Sequence, residues 1–180
     1  MNTPSRDDLK QWIKWYNLEE YLFKDVSTKF KQRHSLIESD FFAIVIWKSN
    51  RSKTKVKAGL RATGKTAEQL MGEVWQASKP EDKVNLLVEI NGIGIPIASA
   101  ILAVCYPEDF TILDYRALNS FYDLWKDRYP NRPYTIRGYL EYCKTCKKIA
   151  DQYRICLRDL DRVLWGRSWE QGLETLIEKE

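Results

Sequence analysis

Asp114 is the residue of this sequence whose surroundings best suit a chemical role. It stands in Thr111-Ile-Leu-Asp114-Tyr-Arg116-Ala-Leu118, where an apolar lead-in meets the start of a helical pattern. An aspartate there caps the helix, and the helix N-terminus favours its ionised form. An ionised carboxylate can stabilise positive charge developing beside it and orient a water. Capping is a common role for aspartate, and the two roles are compatible. Twenty residues before Asp114 comes Gly94, within Leu87-x-x-Ile90-Asn-Gly92-Ile93-Gly94-x-x-x-Ala98-x-x-Ile101. Two apolar helices flank this turn. Its glycines permit positive φ and remove side chains from the turn surface. The next helix points free N–H groups outward, as a phosphate site requires. Ile93 is expected to pack back between the helices, with Ala98 letting them approach; a plain helical hairpin with a glycine C-cap has the same outline.

Net charge is +4, but it is unevenly spread. From Lys48 to Lys65 there are seven basic residues (Lys48, Arg51, Lys53, Lys55, Lys57, Arg61, Lys65) and no acidic one. A second basic stretch, 126–158, has nine Lys or Arg against three acids, and the last 22 residues are net acidic. Such asymmetry points to an anionic partner, nucleic acid being the simplest; a solvated helix face is the plain alternative. Arg137, Lys144 and Lys148 share a helix face that either contacts phosphate or is only solvated.

The remaining reactive residues offer less. Cys143 and Cys146 share a helical face with Ile149, Ala150 and Tyr153 and read as small core residues. Two cysteines at that spacing could hold a metal, but no metal site is assigned. The single histidine, His34, lies in a charged loop or helix end, which excludes paired-histidine metal sites and histidine triads. Among 7 Trp and 10 Tyr, Trp75 and Trp125 are assigned to the core; Trp47, beside Lys48 and Arg51, is left open between core and base stacking.

These residues must be positioned by helices. With 8 Gly and 6 Pro in 180 residues, the chain is poor in turn formers, which disfavours a many-stranded sandwich or barrel. Ser5 begins a Ser-x-x-Asp cap, followed by Leu9, Trp12, Ile13 and Tyr16 at helical spacing. Ser39-Asp40 opens an apolar helix from Phe41 to Trp47. Thr66 and Gln69 form a capping box ahead of Leu70, Met71, Val74 and Trp75. Ser78, with Pro80, starts a helix to Ile90, and Ile95–Cys105 forms another. Residues 110–113 are extended. Asp114 caps a helix carrying Leu118, Phe121, Tyr122 and Trp125, Thr135 caps one to about Tyr153, and a last helix runs from Leu157 to Trp165. The expected fold is an all-α compact bundle in a single domain, 1–180. No apolar run approaches the ~18 residues of a membrane span. The polar start MNTPSRDDLK lacks a secretory apolar region, so the expected compartment is the cytoplasm.

The hairpin pattern resembles the helix-hairpin-helix motif, a sequence-independent clamp on the DNA backbone. With Asp114 at its distance downstream, it resembles the helix-hairpin-helix DNA glycosylase superfamily, in a divergent and shortened form. Phe41-Phe42-Ala-Ile-Val-Ile-Trp47-Lys-Ser-Asn-Arg51 resembles that family's apolar helix and the polar loop that wedges into DNA. The resemblance covers 36–125, with 1–35 and 126–180 as flanking helices. It implies duplex DNA as partner, a flipped nucleotide, and base excision with Asp114 opposite the sugar cation. It implies backbone contacts at Gly92, Ile93 and Gly94, and phosphate or wedge contacts at Lys48, Asn50, Arg51, Lys53 and Lys55. The hairpin carbonyls would hold at most a bridging cation, and the cysteine spacing does not match the family's iron–sulfur cluster.

Three departures shape the expectation. Members that also cut the chain carry a lysine two residues after the second hairpin glycine; here that residue is Pro96, so a Schiff base at that site is excluded. The span from polar loop to hairpin is short, as if pocket-forming helices were missing. Ser49, Asn50 and Arg51 stand where the family often shows glutamine. The expectation is therefore a monofunctional glycosylase of base excision repair, a hydrolase with no cofactor, monomeric by default. The alternative is a non-catalytic DNA-binding module of repair, defence or regulation. A protein scaffold, in which the hairpin packs internally, is a third class.

Overall fold

A computed structural model describes residues 15–177 together with Ser5, Asp7, Leu9 and Trp12. All regular structure among the described residues is helical. From Asp7 on, the described residues before Asn17 are already helical; the helix labelled α1 runs over 18–33 and widens into a π-helical stretch at Tyr21–Val26. There follow α2 (Glu38–Ser49), a short 3-10 turn (Asn50–Ser52), α3 (Lys53–Thr63), α4 (Ala67–Gln76), α5 (Pro80–Val88) and α6 (Ile95–Cys105). The chain closes with α7 (Tyr115–Leu124), α8 (Ile136–Tyr153) and α9 (Leu157–Ile177). Among the described residues no helix is long and apolar enough to cross a membrane.

The bundle is built around α6. Apart from Pro96, every residue of α6 is buried, as a helix apolar on all sides requires. α2, α5 and the end of α1 pack against it, and α9 lies along α7. The capping signals act as read: Thr66 and Gln69 close a reciprocal box, Thr135 accepts from the Gly138 amide, and Asp114 accepts from the Arg116 amide. Cys143 and Cys146 are buried in the core, where desolvation pushes both thiols above their usual range, Cys143 to about 11.

Several expectations are corrected. Asp40 does not cap α2; Ile37 precedes that helix, and Asp40 is buried, accepting hydrogen bonds from the Tyr21 hydroxyl and the Lys29 ammonium. Lys79 rather than Ser78 occupies the N-cap of α5. Trp75 is not core: it is 38% exposed and covered on one face by the His34 ring, stacked at 4.0 Å. His34 itself ends α1 in a left-handed conformation. The last helix continues three turns beyond Trp165 to Ile177, with Trp169, Leu173, Leu176 and Ile177 exposed. Of the residues expected at helical spacing after Ser5, Leu9, Trp12 and Tyr16 are exposed, and Ile13 lies outside the described residues.

The segment before α7 is extended but joins no strand. Two buried hydrogen bonds hold it. Leu113 donates its amide to Ser99 Oγ of α6 at 2.9 Å, and Thr111 accepts from the Tyr139 hydroxyl of α8 at 3.0 Å. Asp114 follows directly, so its position is inherited from the two helices, α6 and α8, that hold the segment.

Candidate active site

Asp114 uses both carboxylate oxygens. Oδ1 accepts from the Arg116 amide at 2.9 Å, which is the cap, and Oδ2 accepts from Lys48 Nζ at 2.9 Å. Lys48 comes from the last turn of α2, and its side chain is only 10% exposed. Lys48 therefore leaves the basic surface on which the sequence placed it and becomes an interior partner of Asp114.

The pair lies in a pocket of about 340 Å³, at the small end of the ~300–1,000 Å³ typical of ligand sites. One wall is Trp47, with Lys48 its neighbour on α2. Ile112 of the extended segment adds to it, and the other walls come from the flanks of the chain: Glu19 of α1, and Arg158, Asp161, Arg162 and Trp165 of α9. Arg158 is held from several directions. It pairs with Asp161 and, at 2.9 Å, with Glu19. Its guanidinium lies 4.2 Å from the Phe23 ring centre and 5.6 Å from that of Trp47, positions that favour a cation over a ring face. Arg162 also binds Glu19, at 2.9 Å.

Two carboxylates in this wall behave oppositely. Burial works against the charge of Glu19, but Arg158 and Arg162 outweigh it and hold the carboxyl below its usual range. Burial pushes Asp161 up to about 6, against the pull of Arg158 and Lys48 and helped by repulsion from Asp114 and Glu19. One pocket thus holds a carboxyl kept below its usual range and another, also paired with Arg158, pushed up to about 6.

A groove of about 430 Å³ leads away from the pocket. Ser49, Ser52, Gly92, Gly94, Pro96 and Tyr134 line it, and Lys48 and Asp114 line both groove and pocket. The expected hairpin and the expected carboxylate are therefore brought together. The two glycines differ. Gly92 has φ +100, and a Cβ there would come within 2.8 Å of the Lys55 and Val56 backbone, so the fold requires it. Gly94 has φ −93 rather than the positive φ expected, and a Cβ would meet nothing nearer than 3.8 Å. The bare backbone at Gly94 is exposed, opens α6 without a side-chain cap and serves no internal packing. Ile93 is buried, as expected.

The remaining basic residues divide. Lys55 lies against the hairpin, its Cγ beside Gly92. Lys53 donates to Asn50 Oδ1 at 2.8 Å and with Lys57 and Arg61 lines a second groove between α2 and α3. Asn50 and Arg51 are exposed in the 3-10 turn. Arg137, Lys144 and Lys148 are exposed on α8, away from the residues lining the pocket.

Glu19, Arg158, Asp161, Arg162 and Trp165 escaped the sequence reading. Asp161 carried a signal, since it falls on the same helical side as Leu157, Leu160 and Leu164, where an acid is costly. Glu19 carried none. Among the described residues no group of three or more His, Cys, Asp and Glu is arranged to hold a metal ion. No protein-family model, no curated protein and no solved structure matches this chain.

Proposed function

We propose that this protein binds duplex DNA and excises a base from a nucleotide turned out of the helix, with Asp114 facing the sugar. The observation that carries this reading is the continuity of groove and pocket. An uncapped helix start with bare backbone at Gly94 leads, through Lys48 and Asp114, into a pocket walled by Trp47 and Trp165. At the start of α6 the Gly94 and Ile95 amides suit a phosphate, since Pro96 has no N–H and the Ile97 and Ala98 amides donate to the Gly94 carbonyl; aromatic rings suit a displaced base, and a carboxylate between them suits the positive charge of a sugar losing its base. Glu19 and α9 supply the walls that the short span between polar loop and hairpin leaves open. Lys55, Arg51, Lys53 and Asn50, beside the hairpin or in the turn leading to α3, fit contacts to the flanking backbone.

The test is single-turnover incubation of the protein with a panel of duplexes, each carrying one damaged or mismatched base, followed by alkali to reveal abasic sites. Release of a base, lost in Asp114→Asn, is the expected result. Tight duplex binding with no base released from any member would replace the enzyme by a non-catalytic DNA-binding module.

A further inference from the structure

Next to the pocket lies a row of aromatic rings that the excision reading leaves unused. Trp165 and Trp169 stand one turn apart on α9, both exposed, with ring planes 6° apart and centres 5.8 Å apart. Tyr115, the first residue of α7, is exposed as well. Arg116 joins the two helices: its guanidinium lies 5.3 Å from the Tyr115 ring centre and 5.6 Å from that of Trp169. Tyr115 lines the groove and Trp165 lines the pocket, whereas Trp169 lines neither. Tyr115, Arg116, Trp169 and Trp165 thus form one row whose first member belongs to the groove and whose last belongs to the pocket.

Exposed rings gathered in this way do not serve the core, and the cation among them is not neutralised. The nearby arginines of α9 are each tied to a carboxylate, Arg158 and Arg162 to Glu19 and Arg167 to Asp123. The half-buried Arg116 guanidinium makes no hydrogen bond or ion pair with any described residue, its contacts being the two rings. Its N–H donors are open to an anion. Rings beside an unpaired guanidinium suit a single nucleic-acid strand, whose bases stack on aromatic side chains whatever the sequence and whose phosphates accept from arginine. Paired DNA cannot use such a row, because a duplex keeps its base faces within its own stack. A single base turned into the pocket reaches Trp165. A base that meets Trp169, outside the pocket, must come from a second unpaired nucleotide.

We propose that Tyr115, Arg116, Trp169 and Trp165 form a platform for an unpaired stretch of DNA strand, so that the protein takes DNA opened over several nucleotides in preference to a fully paired helix. This rests on the reading of the site as a DNA site and gives that site its substrate class: a single strand, a bubble or a loop. The strand lies along the row with bases against the rings and a phosphate on Arg116, and the nucleotide nearest Trp165 enters the pocket beside Asp114.

The experiment uses the full chain and three labelled probes: an oligothymidylate, a fully paired hairpin duplex, and the same duplex with a central unpaired bubble. Fluorescence anisotropy gives the affinities, and tryptophan emission reports stacking. Oligothymidylate should quench that emission, and the bubble should bind more tightly than the paired duplex. Trp169→Ala should weaken binding of oligothymidylate and bubble by about 5- to 150-fold, the range of one base–ring stack, with duplex affinity and melting temperature unchanged. Trp169→Phe, which keeps a ring, should recover most of the loss. Arg116→Gln, whose backbone amide still meets Asp114, should flatten the log–log salt slope of single-strand binding by about 0.7. Tighter binding of the paired duplex than of the bubble, an equal loss on all three probes, or unchanged single-strand affinity in Trp169→Ala would overturn the proposal. So would a dimer, seen by sedimentation, that Trp169→Ala dissociates while single-strand affinity stays intact, which would assign the rings to a second copy of the chain. The lesion panel is run in parallel. Single-strand binding without base release would keep the platform and remove the excision reading, and base release from paired duplexes without single-strand binding would do the reverse.

Discussion

Asp114→Asn separates the two jobs of one side chain. Asparagine caps a helix about as well as aspartate, so α7 keeps its start and the melting temperature should stay near that of the wild type. Under the proposed function the variant also lacks the charge that would face the sugar, and loss of such electrostatic stabilisation typically slows a reaction by ~10²–10³; single-turnover base release measures it. Asp161 allows a prediction of the opposite kind, on stability. Its carboxyl titrates near 3.8 when unfolded and about 6 when folded, so the native state holds the extra proton between those values. Its contribution is fully present below about pH 3.8 and is lost as pH rises through about 6. A shift of this size amounts to about 3 kcal/mol. Arg158, Lys48, Asp114 and Glu19 surround the group, so the comparison must be with Asp161→Asn, in which only this titration is absent. Between about pH 4 and 7 the wild type should lose stability relative to that variant in urea unfolding; parallel curves would show that Asp161 does not change charge in that window.

The hairpin makes its prediction as an element. Gly92→Ala forces a Cβ into the backbone of α3 at a left-handed φ, which costs roughly 1–3 kcal/mol in strain alone. At Gly94 an added Cβ meets nothing nearer than 3.8 Å and the backbone is exposed, so Gly94→Arg should melt like the wild type while losing duplex affinity. Loss of folding in the Gly94 variant, or intact affinity, would make the hairpin purely structural. The contrast also explains what was legible beforehand. Local signals were read correctly where chemistry is local: the Thr66–Gln69 box, the Asp114 and Thr135 caps, and the bounds of Ile95–Cys105 all depend on residues within four positions of each other. α9 runs past the expected end at Trp165 because Gly166, a residue type that often ends a helix, and Gly172 both sit inside one continuous helix. The charge run from Lys48 to Lys65 was read as one patch because composition cannot see that a helix turns. Lys48 ends one helix and points inward, while Lys53 and Lys55 fall on different faces of the next.

At the scale of the whole molecule the basic surface should govern how binding responds to salt. If Arg51, Lys53 and Lys55 meet phosphates, duplex affinity falls steeply with ionic strength, and removing any two should flatten the log–log slope by about one unit each. Removing Lys48, already paired with Asp114, should leave the slope unchanged; fluorescence anisotropy across a salt series distinguishes them. The pocket itself was the least legible feature, because its parts are scattered through the chain. Arg162 and Glu19 are 143 positions apart, and Lys48 and Asp114 are 66 apart. That spacing sets an order of events during synthesis. A chain that has emerged as far as α7 already carries its hairpin, Asp114 and Lys48, yet lacks the pocket wall that Arg158, Asp161, Arg162 and Trp165 of α9 supply. The pocket is therefore completed late, when the last long helix packs on α7 and brings Arg158 and Arg162 to Glu19 of α1, and any fluctuation that lifts α9 from α7 opens it again.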